Sequence, residues 1–277
     1  MRPVSIEPSD LQKQVSRRAM LTMIGAAGGA VATACACGTA IGVGALLNRS
    51  RDDAESRIVY VTATPENLRY PNMTSRAAWG AKPPNNEALF EFGFYGEDNP
   101  IGWREYTEDL REINNTVVVH HSVLYEGDDL DTVREVQRLH QDDRLWADVG
   151  YHYLVGKNGM VYEGRPVEVR GVHVGGYNTG TIGVCLLGNF VEDQPTQSQI
   201  NAAQALIQWL ATRFDLSHLA GHKNFNDGTQ CPGDNLLSYL EVFATNAGLT
   251  VGTEGYVLPE ATETAMLQPC PCGIAHT

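Results

Sequence analysis

Along the middle of this chain the spacing of apolar positions switches repeatedly between two residues and three to four, the alternation expected of an α/β domain. Residues 116–119 are a β-branched run suited to a buried strand, and residues 181–187 are a second apolar strand. Residues 151–155 and 160–163 read as strands joined at Asn158-Gly159, a strong hairpin signal. Residues 131–144 read as a helix with Val133, Val136, Leu139 and His140 on one face. Thr196 with Gln199 predicts a capping box, and Ile200, Ala203, Ile207, Leu210 and Phe214 give the helix that follows its buried stripe. Asp234 is placed as the cap of a last helix running to residue 247. These elements predict a central mixed β-sheet flanked by helices, in one domain over residues 75–247. Periodicity is lost from Gly248 onward, so residues 248–277 read as a flexible tail in which Cys270 and Cys272 are incidental.

The N-terminal part has a different pattern. Residues 1–18 form a polar, basic region ending in Ser16-Arg17-Arg18, and no charge follows until Arg49. An arginine pair ahead of an uncharged Gly/Ala-rich stretch is the twin-arginine export pattern, which implies the twin-arginine translocase as a partner and an extracytoplasmic destination in the cell envelope. The apolar segment of residues 19–47 is long enough to cross a bilayer as an anchor with its basic end inside. Cleavage at Ala32-Thr33-Ala34 or Ala34-Cys35-Ala36, leaving a secreted domain, is the second fate open to it. Lipidation at Cys35 is a third, although Ala32 stands where a lipobox usually has leucine. Residues 48–74 read as a polar linker.

The net charge of −13 is unevenly spread. Residues 1–51 hold six Lys/Arg against Glu7 and Asp10, which leaves the remainder near −17 by subtraction. Such acidity excludes nucleic acid as a partner, because phosphate binding needs a basic footprint. The six cysteines are too unevenly set for a disulfide framework, and Cys185, inside a predicted strand, reads as a small buried hydrophobe.

The candidate chemistry lies in two distant segments, His120-His121-Ser122 and Gly221-His222 with Cys231-Pro232-Gly233 nine residues on. Two imidazoles and a thiolate are what one Zn²⁺ ion takes when its fourth position stays open, as in a catalytic site. Successive strand side chains point to opposite faces, so only one of His120 and His121 can reach the ion. This pattern reads as a zinc hydrolase.

Between these segments lie residues 146–155 (WADVGYHYLV), 159–165 (GMVYEGR), 171–178 (GVHVGGYN) and 182–190 (IGVCLLGNF), and before them residues 75–81 (SRAAWGA). In this order, over residues 75–246, they resemble the peptidoglycan recognition protein family and the related bacteriophage-type N-acetylmuramoyl-L-alanine amidases. The resemblance implies hydrolysis of the amide between N-acetylmuramic acid and L-alanine, with His120, His222 and Cys231 holding one zinc ion. It implies that His121 faces away, that Tyr151 has its phenol at the reacting centre, and that Thr229 stands where relatives carry lysine or threonine. His173, Tyr177 and Asn178 fall in a loop that in the family faces the peptide-stem cleft, while His152 reads as structural and His140 as a core histidine. A non-catalytic muropeptide-binding module is the alternative, and a peptidase acting within the stem is a third reading. Family members that do not cut typically lack the cysteine that Cys231 matches. Pro166-Val167 replace an aromatic that many relatives carry, so the stem type stays open. Residues 83–115 are longer than the family's connection and hold Phe90, Phe92, Phe94, Tyr95, Trp103 and Tyr106, which read as a cover for the core, with a glycan groove as the other option.

Overall fold

The computed structural model describes residues 71–256. The twin-arginine region, the apolar segment of residues 19–47 and the pair Cys270 and Cys272 lie outside the described residues. Among the described residues no helix is long and apolar enough to cross a membrane.

One sheet carries the domain. Its strands run in the order β1 (Met73–Thr74), β4 (Val161–Glu163), β3 (Tyr153–Val155), β5 (Thr181–Leu186), β2 (Thr116–His121), β6 (His218–Gly221) and β7 (Thr250–Val251). The β3–β4 hairpin is antiparallel and the other neighbours are parallel, which makes the sheet mixed, as predicted. The helices are α1 (Arg76–Trp79), α2 (Leu110–Ile113), α3 (Asp129–Arg138), α4 (Gln197–Phe214), α5 (His222–Phe225), α6 (Asp234–Leu237) and α7 (Leu240–Ala247).

Side-chain alternation divides the strands between two cores. Val117, Val119, Ile182, Val184 and Leu186 pack with Leu206, Ile207 and Leu210 of α4 and Phe243 of α7. Each such aliphatic side chain contributes roughly 1.5–3 kcal/mol when fully buried. On the opposite face Leu154 and Cys185 pack with Val133 and Val136 of α3 and with Trp79. The capping box at Thr196 is formed, with the Gln199 side chain accepting from the Thr196 N–H.

Several boundaries differ from the sequence reading. α3 is capped by Asp128 and passes into a wider turn over Leu139–Asp143. Asp234 does not cap the last helix. Gly233 holds that position, Asp234 is the first residue of α6 and pairs with Lys223 Nζ at 2.8 Å, and the chain breaks at Ser238-Tyr239 before α7. β1 lies within the stretch read as linker, and β7 within the stretch read as tail. The fold continues past Gly248 because Thr250 and Val251 pair with β6 and the Tyr256 hydroxyl donates to the Thr179 carbonyl at 2.8 Å.

The inserted segment covers part of the core, as one of its two readings expects, and leaves other aromatic rings at the surface. Trp103 is buried with Ala88, Ala147 and Val169, and its indole lies under the Arg165 guanidinium. Glu91 forms a buried, two-pronged pair with Arg165 at 2.6 and 2.8 Å, so this charge is satisfied inside the fold. Phe92 and Phe94 are left exposed.

Candidate metal centre

Strand register brings the first two candidate ligands together. Val119 of β2 pairs with Gly221 of β6, so His120 and His222, each one residue further on, emerge side by side at the carboxyl ends of two parallel strands. Such ends are where open α/β sheets place their ligands. The His120 and His222 rings lie 4.8 Å apart between centroids. The third candidate is on the loop after α5, which is tied back by Lys223 N–H donating to the Cys231 carbonyl at 2.8 Å. Gly233 anchors the same loop: with φ +87° it lies so close to the Phe190 backbone that a Cβ would fall 2.2 Å from the Phe190 carbonyl carbon.

His120, His222 and Cys231 are all buried, and their potential ligand atoms lie within 4.8 Å of one another. Cys231 Sγ is 3.5 Å from His120 Nδ1. Ligand atoms at zinc bond lengths of 2.0–2.3 Å in a tetrahedron stand roughly 3.3–3.7 Å apart, a spacing the Cys231–His120 pair already has, and two imidazoles with a thiolate are a donor set that suits zinc. His121 turns the other way, its Nδ1 accepting from the Phe190 N–H at 3.2 Å, while its own backbone N–H donates to Cys231 Sγ at 3.4 Å. Burial pushes the Cys231 thiol up to about 12, opposed by that backbone N–H.

Tyr151 lies beside His120, with ring centroids 5.1 Å apart, and its ring also approaches His140 at 5.4 Å. Burial, and then the neighbouring Cys185 and Cys231 sulfurs, hold its phenol well above the ordinary range, so it stays a proton donor. A cavity lined by Tyr151, His173, His222 and Cys231 opens beside these groups; Thr229 is buried and also lines it, its hydroxyl accepting from the Cys231 N–H at 3.2 Å. His140, Arg144 and Trp146 also line the cavity, a role the sequence reading did not give them.

The loop expected at the stem cleft divides by residue. His173 is 7% exposed and lines the cavity, where its Nδ1 lies 3.1 Å from His120 Nε2. His120 Nδ1 faces the sulfur, so a metal held there would leave Nε2 as the ring nitrogen that donates to His173, the arrangement that fixes the tautomer of a metal-binding histidine. Gly171 and Gly183 make this possible, because a Cβ on either would fall 2.5–2.6 Å from the His173 ring. Burial first, and then His152 and His222, hold His173 well below the usual histidine range. Asn178 uses its carbonyl inside the loop, accepting from the His173 and Val174 N–H groups. Tyr177 packs on Phe225 and Tyr256.

His152 is a structural staple, as its sequence context suggests. Nε2–H donates to the Val169 carbonyl at 3.0 Å and Nδ1 accepts from the Gly183 N–H at 2.9 Å, so the neutral ring satisfies both partners. Burial lowers its pKa from 6.5 to about 4. A group depressed in the fold contributes stability that is full above the unfolded value and is lost as pH falls through the folded one. Melting temperature, measured in chelator, is therefore expected to fall steeply from pH 6.5 toward 4, with His121, also near 4 through burial, adding to the slope. One pKa unit corresponds to about 1.4 kcal/mol. A flat melting curve across that window would refute the assignment.

The family profile described as N-acetylmuramoyl-L-alanine amidase matches residues 110–234. The chain is 30% identical over 190 residues to peptidoglycan-recognition protein SD of Drosophila melanogaster, covering 66% of this chain and 91% of that protein. It belongs to the peptidoglycan recognition protein and type 2 amidase family. Human N-acetylmuramoyl-L-alanine amidase is 36% identical over 115 residues, which cover 40% of this chain and 20% of that protein. Among solved structures, a mutant of Drosophila peptidoglycan recognition protein LB in complex with tracheal cytotoxin matches with a TM-score of 0.51 at 26% identity, covering 65% of this chain and 96% of that one.

Proposed function

We propose that this family member is a zinc-dependent amidase that hydrolyses the bond between N-acetylmuramic acid and the L-alanine of the peptidoglycan stem. The observation that carries the reading is the convergence of His120, His222 and Cys231 within 4.8 Å, with Tyr151 beside them. When bound, zinc supplies Lewis acidity that activates a water and polarises the scissile carbonyl. The chain's own residues do the rest. His173 holds the His120 ring through Nε2, which leaves Nδ1 facing the sulfur. The Tyr151 phenol, kept protonated by burial, donates to the oxyanion as charge develops. Thr229 orients the Cys231 loop through the Cys231 N–H, and its hydroxyl lines the cavity as a second polar group for the substrate.

Mass spectrometry of defined muropeptides after incubation with the zinc-loaded chain tests this. Release of an intact stem beginning with L-alanine is the expected result. A cut inside the stem would make the protein a peptidase, and tight binding without any cut would make it a recognition module.

We further propose export by the twin-arginine translocase, supported by Arg17-Arg18 ahead of residues 19–47. Changing both arginines to lysine is expected to leave the domain in the cytoplasm in a fractionation experiment. Unchanged export by the general secretory route would overturn this.

A further inference from the structure

Seven large apolar side chains are exposed among the described residues, and four of them, Leu89, Phe92, Phe94 and Ile101 at 50–64%, belong to one loop of the inserted segment. Scattered singly they would need no explanation, but concentrated apolar exposure marks a binding surface. The loop is not loose. Gly93 N–H donates to Asn86, Trp103 N–H to Gly93 and Tyr95 N–H to Trp103, all to backbone carbonyls, and the Asn99 amide donates to the carbonyls of both Phe92 and Phe94. Beneath it, Arg170 donates to the Pro100 and Gly102 carbonyls, and Arg104 stacks on Tyr95 and Tyr106. The exposed phenylalanines are thus presented on a fixed frame, which lowers the ordering cost of binding.

The inserted segment is tied to residues beside the cavity. Phe90 N–H donates to the Leu145 carbonyl at 3.1 Å, Leu145 is itself exposed, and its neighbours Arg144 and Trp146 line the cavity. Charge narrows the occupant. Residues 83–103 contain no Lys or Arg, and Glu87, Glu97 and Asp98 are exposed. This anionic setting opposes an acidic lipid surface, and it opposes a second copy of a chain whose own charge is −13. A neutral polysaccharide meets no such opposition: its sugar C–H faces pack on aromatic rings and its hydroxyls donate to carboxylates.

We propose that this loop is a docking surface for the uncharged N-acetylhexosamine chain of a polymeric substrate, next to the metal centre and separate from it. The proposal rests on the amidase reading for the identity of the polymer and deepens it: the protein acts on glycan-linked stems in preference to free muropeptides.

The test uses the full zinc-loaded chain and chitohexaose, a neutral β-1,4-linked N-acetylglucosamine oligomer, with affinity measured by calorimetry. The double variant Phe92→Ala/Phe94→Ala is expected to weaken chitohexaose binding about tenfold, the scale of two aromatic contacts. It should lower turnover on insoluble peptidoglycan by a similar factor and leave turnover on a soluble monomeric muropeptide unchanged. Phe92→Trp/Phe94→Trp should keep both the chitohexaose affinity and the turnover on insoluble peptidoglycan. Unchanged affinity and unchanged polymer turnover in the alanine variant would overturn the proposal, as would loop-dependent binding to anionic phospholipid vesicles or a loop-dependent dimer without chitohexaose binding. Loop-dependent chitohexaose binding by a chain that cuts neither substrate would uphold the docking surface and remove the amidase reading instead.

Discussion

A Cys231→Ser chain is expected to fold, to retain less than a tenth of an equivalent of zinc after dialysis, and to show no measurable amide hydrolysis. The sulfur is the one soft and anionic ligand in the proposed set, and a serine hydroxyl there is a weaker, protonated oxygen. Loss of a ligand should exceed the 10–100-fold loss typical of removing a group that merely orients one. The fold should survive because the sheet is held by two apolar cores, and the Cys231 loop by Gly233 against Phe190 and by the Lys223 to Cys231 backbone bond. Oxygen is smaller than sulfur, so the substitution adds no crowding at the 3.4 Å contact with the His121 N–H. Metal content, melting temperature in chelator and turnover on one preparation decide the matter. A variant that keeps one tightly bound zinc and still cuts would show that the three residues are not the ligand set.

What the sequence makes legible is whatever burial repeats. β2 is readable because six consecutive β-branched and imidazole side chains are all buried there, and alternation alone shows that His120 and His121 must part company. α4 is readable because its stripe and its cap agree. The break between α6 and α7 is hidden, since Leu236, Leu240, Phe243 and Ala244 keep helical spacing straight through it. β6 carries no β-branched residue over His218–Gly221. It is a strand because the free edge of β2 needs a partner, a tertiary cause with no local sign.

The site divides in the same way. Its three ligands are legible as residue types, whereas the His120 to His173 bond joins positions 53 apart and depends on space left by Gly171 and Gly183. His140 is readable as buried, but its place at the cavity, against Tyr151 and Trp146, follows from the turn beyond α3. Val123 lines the cavity with φ +65°, a conformation that propensity argues against for a β-branched residue. Bonds from Val123 N–H to the Gly188 carbonyl and from the Ser122 hydroxyl to the Leu124 carbonyl hold it there.

Tyr151→Phe should lower turnover by roughly 10²-fold or more, the scale of a positioned catalytic donor, while KM and zinc content stay near their original values. The substitution removes one oxygen and keeps the ring, so the contacts with His120 and His140 that seat the residue persist. None of the proposed ligand atoms is altered, which separates this variant from Cys231→Ser. Tyr151 is half-buried at the cavity and its phenol is held protonated, hence able to donate where negative charge grows on the carbonyl oxygen but with little to add in the ground state. An interaction made mainly in the transition state affects turnover and kcat/KM equally. Steady-state kinetics on one defined muropeptide, with metal analysis of the same sample, provide the check. Wild-type turnover would reduce Tyr151 to packing against His120, and a parallel loss of zinc would make it a support for the ligand set.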